Sequence, residues 1–114
     1  MRRGDPVINH TKKIKIFMKQ PAIYILTNKQ NGILYTGVTS NLIQRIFQHK
    51  NNILSQFAND YNCKILVYYE LCDTMLNAIL REKQIKDGSR AKKLKLIESI
   101  NPFWHDLYEQ ISKL

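Results

Sequence analysis

Two short β-rich runs joined by a turn signal constrain the fold of this chain more than any other feature. The runs AIYILT and ILYTGV begin at Ala22 and Ile33, and the segment NKQNG separates them. Asn31-Gly32 favours a tight hairpin turn, because both residue types tolerate the backbone angles that such a turn requires. The sequence therefore predicts an antiparallel β-hairpin.

Helical and extended patterns alternate after the hairpin. Apolar residues recur at helical spacing in residues 41–50, with Asn41 or Ser40 as the N-cap. The segment KILVYYEL, residues 64–71, is β-branched and aromatic and predicts a third strand. The order ββαβααα is an α+β arrangement in which helices pack around a sheet. The remaining predicted helices run from a cap at Asp73 to about Lys86, from a cap at Ser89 to Ile100, and within residues 104–114.

Size and charge bound the class of protein. A chain of 114 residues with 44% apolar residues is expected to form one domain with its own core. Lys and Arg number 18 against 9 for Asp and Glu, and the net charge of +9 favours a polyanionic partner such as nucleic acid. We expect residues 1–17 to form a basic tail and residues 18–114 to form the domain.

The composition also indicates a compartment. No apolar run approaches the roughly 18 residues of a membrane span, and the N-terminal segment lacks the hydrophobic stretch of a signal peptide. Cys63 and Cys72 lie nine residues apart with no metal-ligand spacing around them, which favours reduced thiols over a disulfide or a zinc site. We therefore expect a cytoplasmic protein without a membrane association.

Strand parity places two tyrosines together. If the hairpin connection holds an even number of residues, Tyr24 and Tyr35 project from the same face of the sheet, with Ala22 and Gly37 beside them. Two small residues next to two phenols predict a shallow recess that a phosphate or a water could enter. The alternative is that both tyrosines are ordinary packing residues.

Two side chains that can donate hydrogen bonds flank the apolar stripe of the helix at residues 41–50. That stripe is formed by Leu42, Ile43, Ile46 and Phe47, and Arg45 and His49 lie at its edge. Because they are four residues apart, they are neighbours that could converge on one phosphate oxygen. The alternative is a solvated pair on the helix edge.

The helix after Asp73 carries charged residues inside its apolar arc, where Glu82, Lys83 and Lys86 fall at about 100° per residue. An inward carboxylate is costly unless it is paired, hydrogen-bonded or bound to a cation. Two interpretations stay open: an ion pair with Lys86, or a metal-binding glutamate. The predicted apolar arc contains Leu76, Ala78, Ile79, Leu80 and Ile85, and the predicted solvent arc contains Thr74, Asn77, Arg81, Gln84 and Asp87.

The next helix begins with a basic run, SRAKKLKL. Such a run is usually solvated surface, but it could also supply phosphate contacts that do not depend on sequence. Its members are Arg90, Lys92, Lys93 and Lys95.

These residues form an ordered set that resembles the GIY-YIG nuclease domain. The resemblance covers about residues 22–112, and the tail of the chain is most similar to the small single-domain bacterial GIY-YIG proteins. The set consists of Ala22-Ile23-Tyr24, Tyr35-Thr36-Gly37, Arg45, His49, Glu82 and Asn101.

The resemblance implies a three-stranded antiparallel sheet flanked by helices, and phosphodiester cleavage through one divalent cation, Mg²⁺ or Mn²⁺. It implies that Tyr24 or Tyr35 activates the attacking water and that Arg45 neutralises the scissile phosphate. It also implies that His49 assists proton transfer or holds a phosphate oxygen, and that Glu82 binds the metal. A hard cation prefers carboxylate oxygen and water, which agrees with that last role.

The remaining set is expected to contact nucleic acid or support the site. A tyrosine needs cationic neighbours to act as a base near neutral pH, and inward-facing lysines could provide them. The residues expected to bind nucleic acid are Lys83, Lys86, Arg90, Lys92, Lys93, Lys95 and Asn101.

The chain departs from the family pattern in three places. Ala22 stands for the first glycine, Thr36 for the middle isoleucine of the second motif, and Val38 where some members have a lysine. Ala22 and Thr36 remove no expected catalytic group, whereas Val38 deletes one possible activator of the tyrosine. Because 114 residues leave no room for a second DNA-binding domain, substrate choice would rest on the domain itself, its tail or a partner.

Together these features predict a Mg²⁺-dependent endonuclease that acts on DNA, with a preference for structure over sequence and a role in repair or recombination. The alternatives are a non-catalytic nucleic-acid-binding module and an accessory protein of a repair complex. An inward Glu82 separates the nuclease from the binding module, because binding needs no inward carboxylate.

Overall fold

The structure, a computed structural model, describes residues 20–53 and 56–113. The predicted basic tail at residues 1–17 lies outside these residues. No helix in the described part of the chain is long and apolar enough to cross a membrane. The elements are β1 (Ala22–Thr27), β2 (Leu34–Thr39), α1 (Leu42–Lys50), α2 (Gln56–Asp60), β3 (Ile65–Leu71), α3 (Met75–Asp87), α4 (Arg90–Ile100) and α5 (Tyr108–Ser112).

The three strands form one antiparallel sheet in the order β2-β1-β3. Tyr24 pairs with Gly37, so Tyr24 and Tyr35 share a face, as parity predicted. The predicted α+β fold with a three-stranded antiparallel sheet is confirmed.

The hairpin turn depends on both residues of the predicted signal. Asn31 adopts a positive φ of 57°, and the Gly32 amide donates to the Lys29 carbonyl over 2.9 Å. A Cβ on Gly32 would collide with the side-chain oxygen of Asn28, which accepts a hydrogen bond from the Ile33 amide. Glycine is therefore required for close packing inside the turn, while Asn31 supplies the left-handed backbone.

Each face of the sheet has its own apolar core. Alternate residues of β1 separate the two cores, because successive side chains of a strand point to opposite faces. One core joins the Tyr24 face to α1, α2 and α5, and the other joins the Ile23 face to α3 and α4.

Helix caps agree with the sequence in part. The side chains of Asn41 and Ser89 accept hydrogen bonds at the starts of α1 and α4, as predicted. The cap of α3 is Thr74, whose side chain bonds to the Asn77 amide, and the predicted cap at Asp73 is corrected by one residue. Helix α2 was not predicted, and α5 is shorter than the amphipathic pattern suggested.

The inward faces of two helices differ from the prediction. In α1, Phe47 is 54% exposed whereas His49 is 2% exposed, so the histidine takes the core position expected for the phenylalanine. In α3, the predicted apolar arc is wrong, because the sheet covers the Ala78 and Ile85 side only. The exposed residues of α3 include Leu76, Ile79, Leu80, Lys83 and Lys86.

Candidate active site

The phenol of Tyr24 lies across strand β2 at Gly37. A Cβ on Gly37 would overlap the Cζ and hydroxyl atoms of the Tyr24 ring, so only glycine allows this approach. The recess that the sequence predicted beside these residues is therefore corrected: the Tyr24 ring itself fills the space. Gly37 fixes the position of a buried hydroxyl.

Tyr24 forms a hydrogen bond with a histidine from α1. Its hydroxyl oxygen lies 2.8 Å from Nε2 of His49, and the two side chains are 1% and 2% exposed. The half-buried ring of Tyr35 closes the group, with its centroid 5.4 Å from that of His49 and 6.4 Å from that of Tyr24. Three rings predicted from two motifs and a helix thus meet in one cluster.

Burial controls the protonation of this cluster. It raises the pKa of the Tyr24 hydroxyl far above the ordinary value, and Tyr35 and Glu82 add to the rise while Arg45 opposes it. Burial also lowers the pKa of His49 to about 4, and the positive charge of Arg45 contributes. At neutral pH the cluster therefore holds a protonated phenol next to a neutral imidazole.

The ring nitrogens of His49 have different surroundings. Nε2 faces the Tyr24 hydroxyl, whereas buried Nδ1 has no hydrogen-bond partner among the described residues. In the tautomer that carries its proton on Nδ1, the phenol donates to Nε2. The imidazole is then a proton acceptor for Tyr24.

Arg45 lies one helical turn before His49 and is half-buried. Its Nη1 donates to the Val38 carbonyl over 3.4 Å, which is a long hydrogen bond. The charge of Arg45 acts on both Tyr24 and His49. A side-chain hydrogen bond from Arg45 also acts on Tyr24 and lowers the pKa of that phenol. Because one guanidinium has five donors, these contacts leave donors free for an anion.

Glu82 faces inward on α3, but the lysines expected beside it do not. Its side chain is 16% exposed and its charge acts on Tyr24, while the Lys86 side chain is 52% exposed and Lys83 is also exposed. The expectation that Lys83 and Lys86 face inward is thus wrong. Lys86 Nζ lies 2.9 Å from Glu82 Oε2, which is the ion pair considered from the sequence.

The donor set around Glu82 fits a cation that needs few protein ligands. The described residues contain no group of three or more His, Cys, Asp or Glu side chains that could hold a metal ion. Mg²⁺ commonly binds through one or two carboxylates and completes its shell with water and substrate phosphate. One inward carboxylate whose charge acts on the buried phenol is compatible with that mode of binding.

The basic run of α4 lies in the helix layer on the other face of the sheet. Lys92, Lys93 and Lys95 line a cavity of about 360 Å³ between α3 and α4. Lys93 donates to the Lys86 and Gly88 carbonyls, and Arg90 donates to the Asn31 and Gly32 carbonyls of the hairpin turn. These residues do not join the tyrosine cluster.

Asn101 does not join the cluster either. It is 3% exposed, and its side-chain amide donates to the Val67 and His105 carbonyls while its oxygen accepts from the His105 amide. This burial leaves Asn101 no surface with which to contact nucleic acid. The expected contact is corrected to a structural role, in which Asn101 joins the end of α4 to β3.

Two features of the site region were missed from the sequence. Arg81, assigned to the solvent arc, forms a two-pronged ion pair with Glu70 of β3 at 2.9 and 2.8 Å, which holds α3 against the sheet next to Glu82. The rings of Phe57 and Tyr61 extend the aromatic cluster outward from Tyr35. Their spacing of four residues in QFANDY was the available signal, but no helix was predicted there.

Comparisons with known proteins match about two thirds of the chain to a described family. A family profile described as the GIY-YIG catalytic domain matches residues 20–95. A UPF0213 protein of Staphylococcus saprophyticus is 41% identical over 80 residues, which is 70% of this chain and 96% of that protein. A UPF0213 protein of Staphylococcus haemolyticus is 37% identical over 81 residues, covering 71% and 98% of the two chains.

A third relative extends the comparison to another genus. A UPF0213 protein of Clostridium perfringens is 39% identical over 77 residues, which is 68% of this chain and 82% of that protein. No solved structure gives a significant match.

Proposed function

The chain belongs to the GIY-YIG nuclease family, and on this basis we propose that it is a metal-dependent endonuclease that hydrolyses phosphodiester bonds in DNA. The observation that carries the proposal is the buried hydrogen bond between Tyr24 and His49, with Arg45 close to both. A phenol and a neutral imidazole beside an anion-binding group can move a proton where a phosphate is attacked.

The proton path starts at the attacking water. As water adds to phosphorus, the Tyr24 oxygen takes its proton and the phenolic proton passes to Nε2 of His49. Tyr24 is thus a phenol before and after the transfer, and the imidazolium carries the added proton. This relay avoids a free phenolate, which burial of Tyr24 makes costly.

Substrate binding makes His49 a better proton acceptor. In the free protein, the charge of Arg45 helps to lower the pKa of the imidazole to about 4. A phosphate held by Arg45 compensates that charge, so the pKa of His49 rises when substrate is present. Arg45 therefore has two functions: it binds the phosphate, and it links binding to proton transfer.

Glu82 is the side chain that would hold Mg²⁺ or Mn²⁺. When bound there, such a cation would stabilise negative charge on the phosphate and lower the pKa of bound water. Glu82 would exchange its ion pair with Lys86 for the cation, and the exposed lysine can move into solvent. The lysine would then be available to a neighbouring phosphate.

Substrate choice would rest on DNA shape. The contacts proposed for the basic residues of this chain are with phosphates, which carry no sequence information directly. We therefore propose a preference for branched or otherwise distorted DNA, of the kind that repair and recombination produce. A repair protein is the partner that fits this role.

A second function, nucleic-acid binding without catalysis, is favoured by the ion pair at Glu82. A carboxylate neutralised by Lys86 at 2.9 Å has a partner without any metal. The chain would then keep the fold and the basic surface and turn over no substrate.

One experiment separates the two functions. Purified wild-type protein and Glu82→Gln are incubated with branched, single-stranded and duplex DNA and RNA, with Mg²⁺, with Mn²⁺ or with a chelator. The nuclease predicts cleavage by wild type that needs the cation and is lost in Glu82→Gln, with binding retained. Binding by both proteins without any cleavage supports the second function.

A further inference from the structure

Two exposed aromatic rings lie beside the candidate active site. Phe57 and Tyr61 are four residues apart at α2, and each is 47% exposed. Their centroids lie 4.7 Å apart at an angle of 47°. Because aromatic side chains bury large apolar areas when they can, two half-exposed rings in contact form an apolar surface that the fold leaves open.

These rings continue the buried cluster. Phe57 stacks on Tyr35 with centroids 6.1 Å apart and an interplanar angle of 27°. Tyr35 in turn lies 5.4 Å from His49, which is bonded to Tyr24. Rings thus follow one another from the proton-transfer pair to the protein surface.

The backbone after α2 holds this surface in place. The Tyr61 amide donates to the Phe57 carbonyl over 3.1 Å, and the Cys63 amide donates to the Ala58 carbonyl over 2.8 Å. Asn62 closes the turn with a positive φ of 57°, and Cys63 is buried. The ring positions are therefore set by a closed turn anchored in the core.

We propose that Phe57 and Tyr61 form a stacking platform for an unpaired nucleobase that flanks the cleaved phosphate. This inference rests on the proposed function, because it takes Arg45 and Tyr24 as the place of the phosphate. It names the substrate as DNA with an unpaired nucleotide at the cut, either single-stranded or at a branch.

The chemistry favours an unpaired base over a duplex. Bases within a duplex are covered above and below by their neighbours, so they present edges to a protein. An unpaired base offers its face, and stacking of a base on an aromatic side chain is worth about 1–3 kcal/mol whatever the base. Open rings next to a phosphate site match that pattern.

Charge favours nucleic acid over a protein partner as the occupant. The chain carries a net charge of +9, which attracts a polyanion. The apolar surface is also small, since it consists of two rings, whereas stable protein interfaces use on the order of 20 residues from each partner. A nucleotide matches the size of this surface, and its negative charge is complementary to the net charge of the chain.

The test uses leucine variants that keep apolar packing and remove the ring face. Phe57→Leu, Tyr61→Leu and the double variant are compared with Phe103→Leu, a matched control at an exposed phenylalanine outside the patch. Binding is measured by fluorescence anisotropy in chelator, with a labelled single-stranded oligonucleotide and with a duplex of the same sequence. Thermal melts check that each variant is folded.

The platform predicts a selective loss. The double variant should bind the single strand at least tenfold more weakly, with duplex affinity changed less than twofold and Phe103→Leu equal to wild type. An equal loss on both DNAs, or no loss on either, overturns the proposal. If the double variant is too unstable to measure, Tyr61→Leu is used alone. The proposal then requires a threefold loss of affinity for the single strand without a matching loss for the duplex.

Binding in chelator separates this inference from the proposed function. If wild type cleaves no substrate but the selective loss is found, the platform stands and the nuclease proposal fails. If wild type cleaves DNA and the leucine variants bind and cleave single strands as well as wild type does, the platform fails and the nuclease proposal stands.

Discussion

The Tyr24 hydroxyl oxygen lies 2.8 Å from Nε2 of His49, and both side chains are almost completely buried. Their hydrogen bond therefore ties the position of the phenol on β1 to that of the imidazole on α1. Three of the predictions below concern this pair or the residue that gives it room.

Removal of either member of the pair should disable the relay. We expect Tyr24→Phe and His49→Gln each to lower the single-turnover cleavage rate by about 10²-fold or more. The double variant should lose little beyond the worse single variant, because the two residues act in one step. Tyr108→Phe, which removes a hydroxyl elsewhere, is the control. Losses that multiply in the double variant would assign the two residues to separate steps.

His49 should make folding stability depend on pH. Its pKa is about 4 in the folded chain and 6.5 ordinarily, so the unfolded chain binds more protons between these values. The free energy of unfolding should therefore fall as pH drops from about 6.5 to 4, by up to roughly 3 kcal/mol.

Urea denaturation of wild type and His49→Gln across that pH range checks this contribution. Carboxylates such as Glu70, whose pKa is lowered by Arg81, also make the fold less stable in acid. The quantity to follow is therefore the difference in unfolding free energy between the two proteins. A difference that stays constant from pH 7 to pH 4 would show that His49 is not held neutral by burial.

Arg45 should contribute more to the transition state than to ground-state binding. Loss of a donor that contacts developing charge costs about 10² to 10³ in rate, so Arg45→Ala should lower kcat far more than it raises Kd. Arg45→Lys should recover part of the loss, since an ammonium lacks the planar fork of guanidinium. Arg90→Ala removes the same charge from a side chain of α4 that contacts the hairpin turn, and it should leave kcat unchanged. If Arg45→Ala and Arg90→Ala behave alike, Arg45 is only a surface charge.

Gly37→Ala should destabilise the fold through Tyr24. The added Cβ would overlap the phenol, and we expect a loss of about 1–3 kcal/mol by overpacking. Tyr24→Leu removes the ring that the new methyl group would overlap. The double variant should therefore lose less unfolding free energy than the two single variants lose together. Chemical denaturation measures all three, with Gly88→Ala as a control whose Cβ meets no atom closer than 3.3 Å. If the losses of the two single variants simply add, the strain does not come from the contact between residue 37 and Tyr24.

The α4 lysines should act on affinity alone. Replacement of Lys92, Lys93 and Lys95 by alanine should flatten the dependence of DNA affinity on salt, by about 0.9 in the log-log slope for each duplex phosphate that the variant no longer neutralises. Because these residues line a cavity away from the tyrosine cluster, kcat should stay within a few-fold while KM rises. An unchanged salt dependence would show that these three lysines are solvated and do not contact DNA.

The sequence by itself determined the hairpin, the order of the strands along the chain and the shared face of the tyrosines. Asn31 and Gly32 specify the turn locally, and a period of two places Tyr24 and Tyr35 on one side of the sheet. These features depend on neighbours in the chain, so they can be read without the fold. The ordered motif set likewise carried the family resemblance.

The tertiary structure decided which helix faces are buried. Helical spacing placed Phe47 in the core and His49 at its edge, but the sheet covers α1 on the His49 side. In α3, the ion pair between Arg81 and Glu70 fixes the orientation of the helix against the sheet. In this orientation, Leu76 and its apolar neighbours on the helix are exposed to solvent. Periodicity identifies a stripe, but the angle at which a helix meets the sheet depends on contacts far apart in sequence.

The hydrogen bond between Tyr24 and His49 depends on three elements at once. Gly37 gives the phenol room on β2, α1 carries the imidazole to it, and burial by the rest of the core keeps that imidazole neutral. The sequence contains all three residues but not the distance between them, because that distance is set by packing between strands and a helix. The sequence could therefore name these candidate groups, whereas their protonation was decided only by the folded chain, since a pKa shift of this kind requires removal from water.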